Sequence, residues 1–363
     1  MFFYYALFFV FYCLGIKAYL TDKDVSTGVM SIILAIVSYF VACRVDVGAD
    51  WAGYVSFYYY KEIGEGRDFL EIEPLFRLSR DIMFNCGLSH QGFLFFFSFL
   101  SLMALVFVAK KFRVTNVSLV LLVYIALFFC HNQLNVLRTC IMASFVWVGF
   151  SCLETNLKKS ILYILLGAGF HIIAIVYIPL LFLINRYYSK KTYLIIIIVS
   201  LVLIIFSFGT MIIDHIPVLS SLGRASNYLD PESHFREQEY GISLGYIFNI
   251  VICLFFRYKY NNEYQENGAV KIVLNIFLVN LFLVGFLNGF PVLIERVCST
   301  MNFALCFIWP CLLSHVQGKN KWYWIIPFTV YLILFYNKSF NTVDVWGDNC
   351  LVPFKFEIAS FFR

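Results

Sequence analysis

Three ionisable side chains stand where such groups are costly, inside or at the end of long apolar runs. They are Arg138 in NVLRTCIMASFVWVGF, His171 in LLGAGFHIIAIVYIPLL and Arg296 in NGFPVLIERVCSTMNF. A guanidinium offers a planar fork of donors that meets phosphate or carboxylate oxygens two at a time. At a helix start it opposes the macrodipole, so helix stability does not account for Arg138. The amide-rich HNQLN just before it, with Gln133, supplies further hydrogen-bonding groups. Glu295 adjoins Arg296, but sequence neighbours on a helix point in different directions, so it need not neutralise the arginine. Imidazole titrates near neutrality and suits a general base. The plainer alternatives are a snorkelling or internally paired arginine and a histidine satisfied structurally. A second polar stretch, RVDVGADWAGYVSFYYY at 44–60, ends an apolar run, and IEPLFRLSRDI follows at 72–82. Here Arg44 either meets a phosphate or braces the loop, and Gly48 and Gly53 let the chain turn tightly.

These residues need elements to hold them, and the composition says which kind. Of 363 residues, 61% are hydrophobic and 13% charged, against about a quarter charged in a soluble domain. Apolar runs long enough to cross a bilayer recur along the chain, so the sequence predicts an integral membrane protein and excludes a soluble enzyme. The first run starts at residue 2 with no basic segment before it and no cleavage site after it, which predicts a retained helix. Nine of the eleven cysteines lie in or beside apolar runs, where Cys acts as a small hydrophobe. Only Cys86 and Cys350 fall in polar segments, the one pair that an oxidising compartment could join. No CxxC pair or Cys/His cluster suggests a metal.

Apolar runs predict helices at 2–20, 28–43, 92–109, 117–133, 138–153, 160–185, 193–213, 243–256, 270–288, 299–314 and 322–337. The whole chain, 1–363, reads as one polytopic all-α membrane domain of about 10–12 transmembrane helices. Two polar segments, 44–91 and 214–242, exceed ordinary connections and are candidate functional loops. Lysines cluster in six short connections, around Lys17, Lys110, Lys158, Lys190, Lys259 and Lys319, which the positive-inside rule assigns to the cytoplasm. For all six to share a side, 160–185 must enter and leave by one face, as a broken or re-entrant hairpin turning near Gly167, Gly169 and His171. The other face then carries 44–91 and 214–242 and most arginines, Arg44, Arg67, Arg138, Arg224 and Arg296 among them. That face reads as built to hold an anion, although pairing with the first loop's own carboxylates competes for its arginines.

The ordered set RVDVGADWAGYVSFYYY, IEPLFRLSRDI, NVLRTCIMASFVWVGFSCLETNLKKSILYILLGAGFHIIAIVYIPLL and IERVCSTMNF resembles the EpsG-like group of Wzy-type polysaccharide polymerases. The resemblance spans roughly residues 28–312, with Trp51 where tyrosine is commoner. It implies a GT-C-like helical bundle in the bacterial inner membrane with its active site facing the periplasm. The implied reaction polymerises O-antigen or exopolysaccharide repeat units. The growing glycan leaves undecaprenyl pyrophosphate and joins a sugar hydroxyl of a new lipid-linked repeat unit. No metal, cofactor or nucleotide sugar is implied. The implied partners are the undecaprenyl-pyrophosphate-linked oligosaccharide, membrane lipid, and a chain-length regulator and flippase of the same pathway, with no nucleic acid.

Such chemistry assigns roles to the residues singled out. A pyrophosphate leaving group needs its developing charge met by preorganised cations, for which Arg138 and Arg296 qualify, with Arg44 and Arg224 as further anion contacts. The acceptor hydroxyl needs a base: His171, Asp50 or Glu73. Asp50 can instead touch acceptor hydroxyls or orient an arginine. Trp51 and Tyr54 can lie against sugar rings, with an interfacial aromatic belt as the competing reading of 51–60. Two other functions compete, a flippase for the same lipid-linked oligosaccharide and an O-antigen ligase. A flippase would carry charge through the membrane depth and often shows repeated halves, and neither feature is present; the ligase has a different motif order.

Overall fold

Helix α6 (Val117–Leu127) is apolar all round, and every residue from Val117 to Ala126 is buried. A helix of that kind belongs in the middle of a bundle, and others are laid against it. The computed structural model describes residues 1–61, 72–207, 242–316, 318–340, 349–358 and 360–362. They form two units, one of Met1–Cys152, Asn156–Ile175 and Cys306–Arg363, the other of Leu153–Thr155 and Val176–Leu305.

In the first unit α1 (Phe2–Thr21) packs on α6, and α2 (Thr27–Ala42) packs on α5 (His90–Lys111). The polar segment after α2 holds two short helices, α3 (Trp51–Tyr60) and α4 (Pro74–Asn85). After α6 come α7 (Phe129–Leu134), α8 (Leu137–Cys152) and α9 (Leu157–Ala168). Helices α8 and α9 approach closely because small residues face the partner backbone. A Cβ on Gly149 would lie 2.9 Å from Ser160 O, and one on Gly167 would lie 3.2 Å from Met142 O. The segment 160–185 is divided in three: α9, a 3-10 turn at Ile172–Val176, and α10 (Tyr177–Ile184).

The second unit gathers α10, α11 (Lys190–Phe206), α12 (Leu244–Lys259) and α13 (Asn261–Glu266) around α14 (Gly268–Phe286). Asn275 on α14 is its polar hub. Its amide donates to Ile184 O at 2.8 Å and Arg186 O at 2.6 Å, and its oxygen accepts from the Tyr193 and Tyr264 hydroxyls at 2.6 and 3.1 Å. That uses the full capacity of a buried side-chain amide. Helix α15 (Pro291–Ser314) follows, with a π turn at Ile294–Cys298, and α16 (Asn320–Ser339) returns to the first unit. Among the described residues four helices, α1, α5, α14 and α15, are long and apolar enough to cross a membrane, and the chain also has shorter apolar helices. The all-α polytopic membrane class is therefore correct. All eleven cysteines, Cys86 and Cys350 included, are thiols outside any disulfide.

Polar termini keep these apolar helices in register. Ser26, Ser89, Asn156, Ser189 and Ser243 accept from the first-turn amides of α2, α5, α9, α11 and α12. Helix α6 lacks a cap of its own and takes one from another segment. Asp24 accepts from the Val117 amide at 2.5 Å and the Ser118 amide at 3.3 Å, and also from the Ser118 hydroxyl. The carboxylate thereby meets both the orphan donors and the positive end of the helix dipole.

The C-terminal tail straps the 44–50 loop in place. Val45 and Gly48 amides donate to Lys355 O and Cys350 O at 3.0 and 2.8 Å, and the Glu357 amide donates to Cys43 O at 2.8 Å. Farther on, the Ser89 amide donates to Phe361 O at 2.9 Å. On its other side the loop lies against the turn before α8. Gly48 sits at φ 94°, and a Cβ there would fall on Leu134 O.

Asp24→Ala is expected to destabilise the protein by roughly 1–2 kcal/mol, read as a lower unfolding midpoint in detergent, whereas Asp24→Asn keeps an acceptor and most of the stability. Gly48→Ala is expected to cost more, about 2–4 kcal/mol, because it combines a strained backbone with a clash against a carbonyl. Equal midpoints for Gly48→Ala and wild type would show that the loop does not dock on Leu134.

Candidate active site

Helix α4 begins with Pro74, whose fixed φ and missing amide suit the first helical position. Its next two amides need acceptors from elsewhere, and both find the Gly169 carbonyl, Leu75 at 2.9 Å and Phe76 at 3.3 Å. The C-terminal end of α9 thus meets the N-terminal end of α4, with complementary dipole ends. Only glycine fits at 169, since a Cβ would lie 2.5 Å from Leu75 Cγ. The junction brings Glu73, the residue before Pro74, against the turn that carries His171.

Glu73 is the centre of the site. Its Oε1 accepts from the Ile172 amide at 3.1 Å and lies 3.8 Å from His171 Nδ1. Its Oε2 accepts from Arg138 Nη1 at 3.1 Å. The three side chains are 14%, 11% and 17% exposed, shielded from bulk water yet reachable. Arg138 is held from behind: its backbone amide, an orphan at the start of α8, donates to the buried Tyr54 hydroxyl at 3.1 Å. Burial, reinforced by Asp50, pushes the Tyr54 phenol up, so it stays neutral at physiological pH. Arg138 Nε and Nη2 make no hydrogen bond to a described residue, leaving part of the fork open.

The other sequence-derived residues fall at different distances from this centre. Asp50 is exposed at the start of α3, and its backbone amide donates to Asn135 Oδ1 at 3.2 Å. Trp51 is part-exposed beside His90. Arg44 is wholly buried, with Nη1 donating to Val41 O at 2.7 Å and Nε to Val47 O at 3.2 Å. Burial lowers its guanidinium to about 10, still charged at neutral pH, with Tyr54, Tyr4 and Asp50 opposing the shift. Of the two sequence readings, this geometry is that of the brace: the cation closes the C-terminal end of α2 and ties down the loop. Gln133 is fully buried, and its amide nitrogen joins Ser101, Tyr124 and Cys140 of three other helices at 2.8, 3.1 and 3.4 Å. That is a bundle core rather than a surface that a substrate reaches.

Arg296 is part-exposed in the π turn of α15, within the second unit; π turns occur often at functional sites. Arg224 lies outside the described residues, as do Arg67, the first loop's Glu62, Glu65, Asp68 and Glu71, and nearly all of 214–242. Arg80 is buried, paired with Asp81 at 2.8 Å and donating to Tyr58 O at 2.7 Å. The sequence marked Glu73, Arg138 and His171 separately but gave no sign that Glu73 joins the other two, because 65 positions separate Glu73 from Arg138.

No curated protein and no solved structure matches this chain. The EpsG family model matches residues 28–356, a stretch that contains every motif from RVDVGADWAGY to IERVCSTMNF. A match over nearly the whole sequence of a multi-pass helical membrane protein supports a role of the polysaccharide-polymerase type and establishes that the chain belongs to the EpsG family.

Proposed function

We propose that the protein is a glycosyltransferase that polymerises lipid-linked oligosaccharide repeat units. On this reading the growing glycan moves from undecaprenyl pyrophosphate to a sugar hydroxyl of a new lipid-linked unit, on the periplasmic side of the inner membrane. The observation that carries it is Glu73 held between Arg138 and His171. The acceptor oxygen attacks the anomeric carbon, the carbon–oxygen bond to pyrophosphate breaks, and the pyrophosphate leaves with the bonding electrons. Arg138 meets that developing charge with the open part of its fork, as a preorganised cation. The acceptor's proton passes to His171, whose imidazolium Glu73 stabilises. Glu73 already accepts from Arg138 and from the Ile172 amide, so its role is to orient the cation and the base. Asp50 binds acceptor hydroxyls.

The test begins with deletion of the gene in a strain that makes long-chain surface glycan. The polymerase reading expects single-repeat-capped glycan to persist; loss of all capped material would point instead to a flippase or ligase. Arg138→Lys and Glu73→Gln, each confirmed in the membrane, are expected to cut polymerisation by roughly 10²-fold or more. Lysine keeps the charge but loses the fork, so wild-type chain lengths in both variants would refute the site.

A further inference from the structure

One turn of α3 away from Tyr54 lies a cluster that the transfer chemistry does not use. Trp51 opens α3, and its ring meets His90 edge to face at 6.5 Å between centroids. The Tyr59 hydroxyl lies 3.0 Å from His90 Nδ1, and the ring centroids of that pair are 5.5 Å apart. The same hydroxyl lies 3.5 Å from the His90 backbone amide, which donates to it. With the hydroxyl proton given to Nδ1, the neutral ring carries its own proton on Nε2, a donor that no described residue engages. The Trp51 indole N–H has no acceptor among the described residues either, although it is shielded from water. A donor left in that state costs roughly 1–3 kcal/mol, which a ligand oxygen would recover.

Two unengaged N–H donors flank a part-exposed aromatic ring, with the exposed Asp50 next in sequence as an acceptor. Trp51 and Tyr54 are three residues apart on one helix face, about 4.5 Å along the axis. That is close to the length of one sugar ring, and Tyr54 is bonded to the amide of Arg138. We propose that Trp51, His90 and Tyr59 form a carbohydrate subsite next to the Glu73–Arg138–His171 centre. One pyranose ring packs its C–H face on Trp51 while its hydroxyl oxygens accept from the indole N–H and His90 Nε2. Tyr59 is the positioning residue that holds the His90 tautomer. The proposal rests on the glycosyl-transfer reading for the ligand class but not on the roles of Arg138 and Glu73.

The experiment titrates purified full-length protein in nanodiscs with the repeat-unit oligosaccharide hydrolysed from the strain's own surface glycan. Binding is followed by saturation-transfer NMR and calorimetry. Trp51→Ala is expected to weaken binding about ten- to a hundredfold, the scale of a lost aromatic stacking contact. Trp51→Phe keeps the ring face and should fall between Trp51→Ala and wild type. His90→Ala is expected to weaken binding severalfold. Tyr59→Phe, which frees the tautomer, should lower affinity less than His90→Ala. Melting midpoints of each variant separate lost binding from lost folding, and Trp51→Phe remains informative if Trp51→Ala does not fold. If Arg138→Lys and Glu73→Gln polymerise normally while Trp51→Ala loses the oligosaccharide, the catalytic assignment falls and the subsite stands. Wild-type affinity in Trp51→Phe and His90→Ala, or no binding by the wild-type protein, overturns the subsite.

Discussion

Inside a bilayer a helix can stop only where other groups take over its hydrogen bonds, and the Gly169 carbonyl is where this requirement shapes the site. It accepts two amides of α4 at once, so the end of one apolar helix becomes the start of an amphipathic one. Everything at the centre follows from that junction. Glu73 precedes the proline that starts α4, His171 follows the glycine that ends α9, and the carboxylate is delivered to the imidazole without either helix bending. Absence of a side chain at 169 is what allows the approach, as Leu75 occupies the space where a Cβ would go.

Electrostatics then separates the arginines by what surrounds them. Arg44, Arg80 and Arg257 are each at most 3% exposed and each donates to backbone carbonyl oxygens: Val41 and Val47, Tyr58, and Tyr188. A buried guanidinium is costly unless its donors are met; these three set two nitrogens each on main-chain carbonyls or side-chain oxygens, with Arg44 Nη2 and Arg257 Nε left without a partner among the described residues, while Tyr264 and Phe84 cover the faces of Arg257 and Arg80 at about 4 Å. Such arginines fix loops. Arg138 differs in being 17% exposed, with one nitrogen on Glu73, a backbone amide held by Tyr54 and the rest of its fork open. A cation that is anchored yet reachable suits anion binding, since its open donors need no reorganisation to meet a ligand.

Much of the fold was legible in the sequence, and the reason is physical. Apolar runs must be helices in lipid, and several predicted spans fall on observed helices within a few residues, as at 28–43 against Thr27–Ala42 and 322–337 against Asn320–Ser339, whereas 299–314 starts eight residues late against Pro291–Ser314, 117–133 is two helices, and 193–213 runs beyond the described residues. The segment 160–185 is divided into α9, a 3-10 turn and α10 near Gly167 and Gly169, and its reading as a re-entrant hairpin stays a proposal. Local pattern could not show what the polar loop 44–91 does, since α3 and α4 are positioned by Gly169, by the C-terminal tail and by the 134–135 turn, all distant in sequence. Residue type alone also left the surroundings of Arg44 and Gln133 open: both are completely buried and hydrogen-bonded within the protein.

The same distinction bears on why the conspicuous stretch RVDVGADWAGY combines so many polar types. Its first half is consumed by structure: Arg44 closes α2, and the Val45 and Gly48 amides pair with the tail while Gly48 lies against Leu134. Its second half remains open, with Asp50 and Trp51 exposed or part-exposed. Between them the loop makes one rigid edge from α2 to α3, and Tyr54 carries that rigidity to the amide of Arg138. On the proposed function, a glycan end resting on that half would be held in a frame fixed to the Glu73–Arg138–His171 cluster. Fixing both ends in one frame would lower the entropy cost of aligning two large, flexible partners.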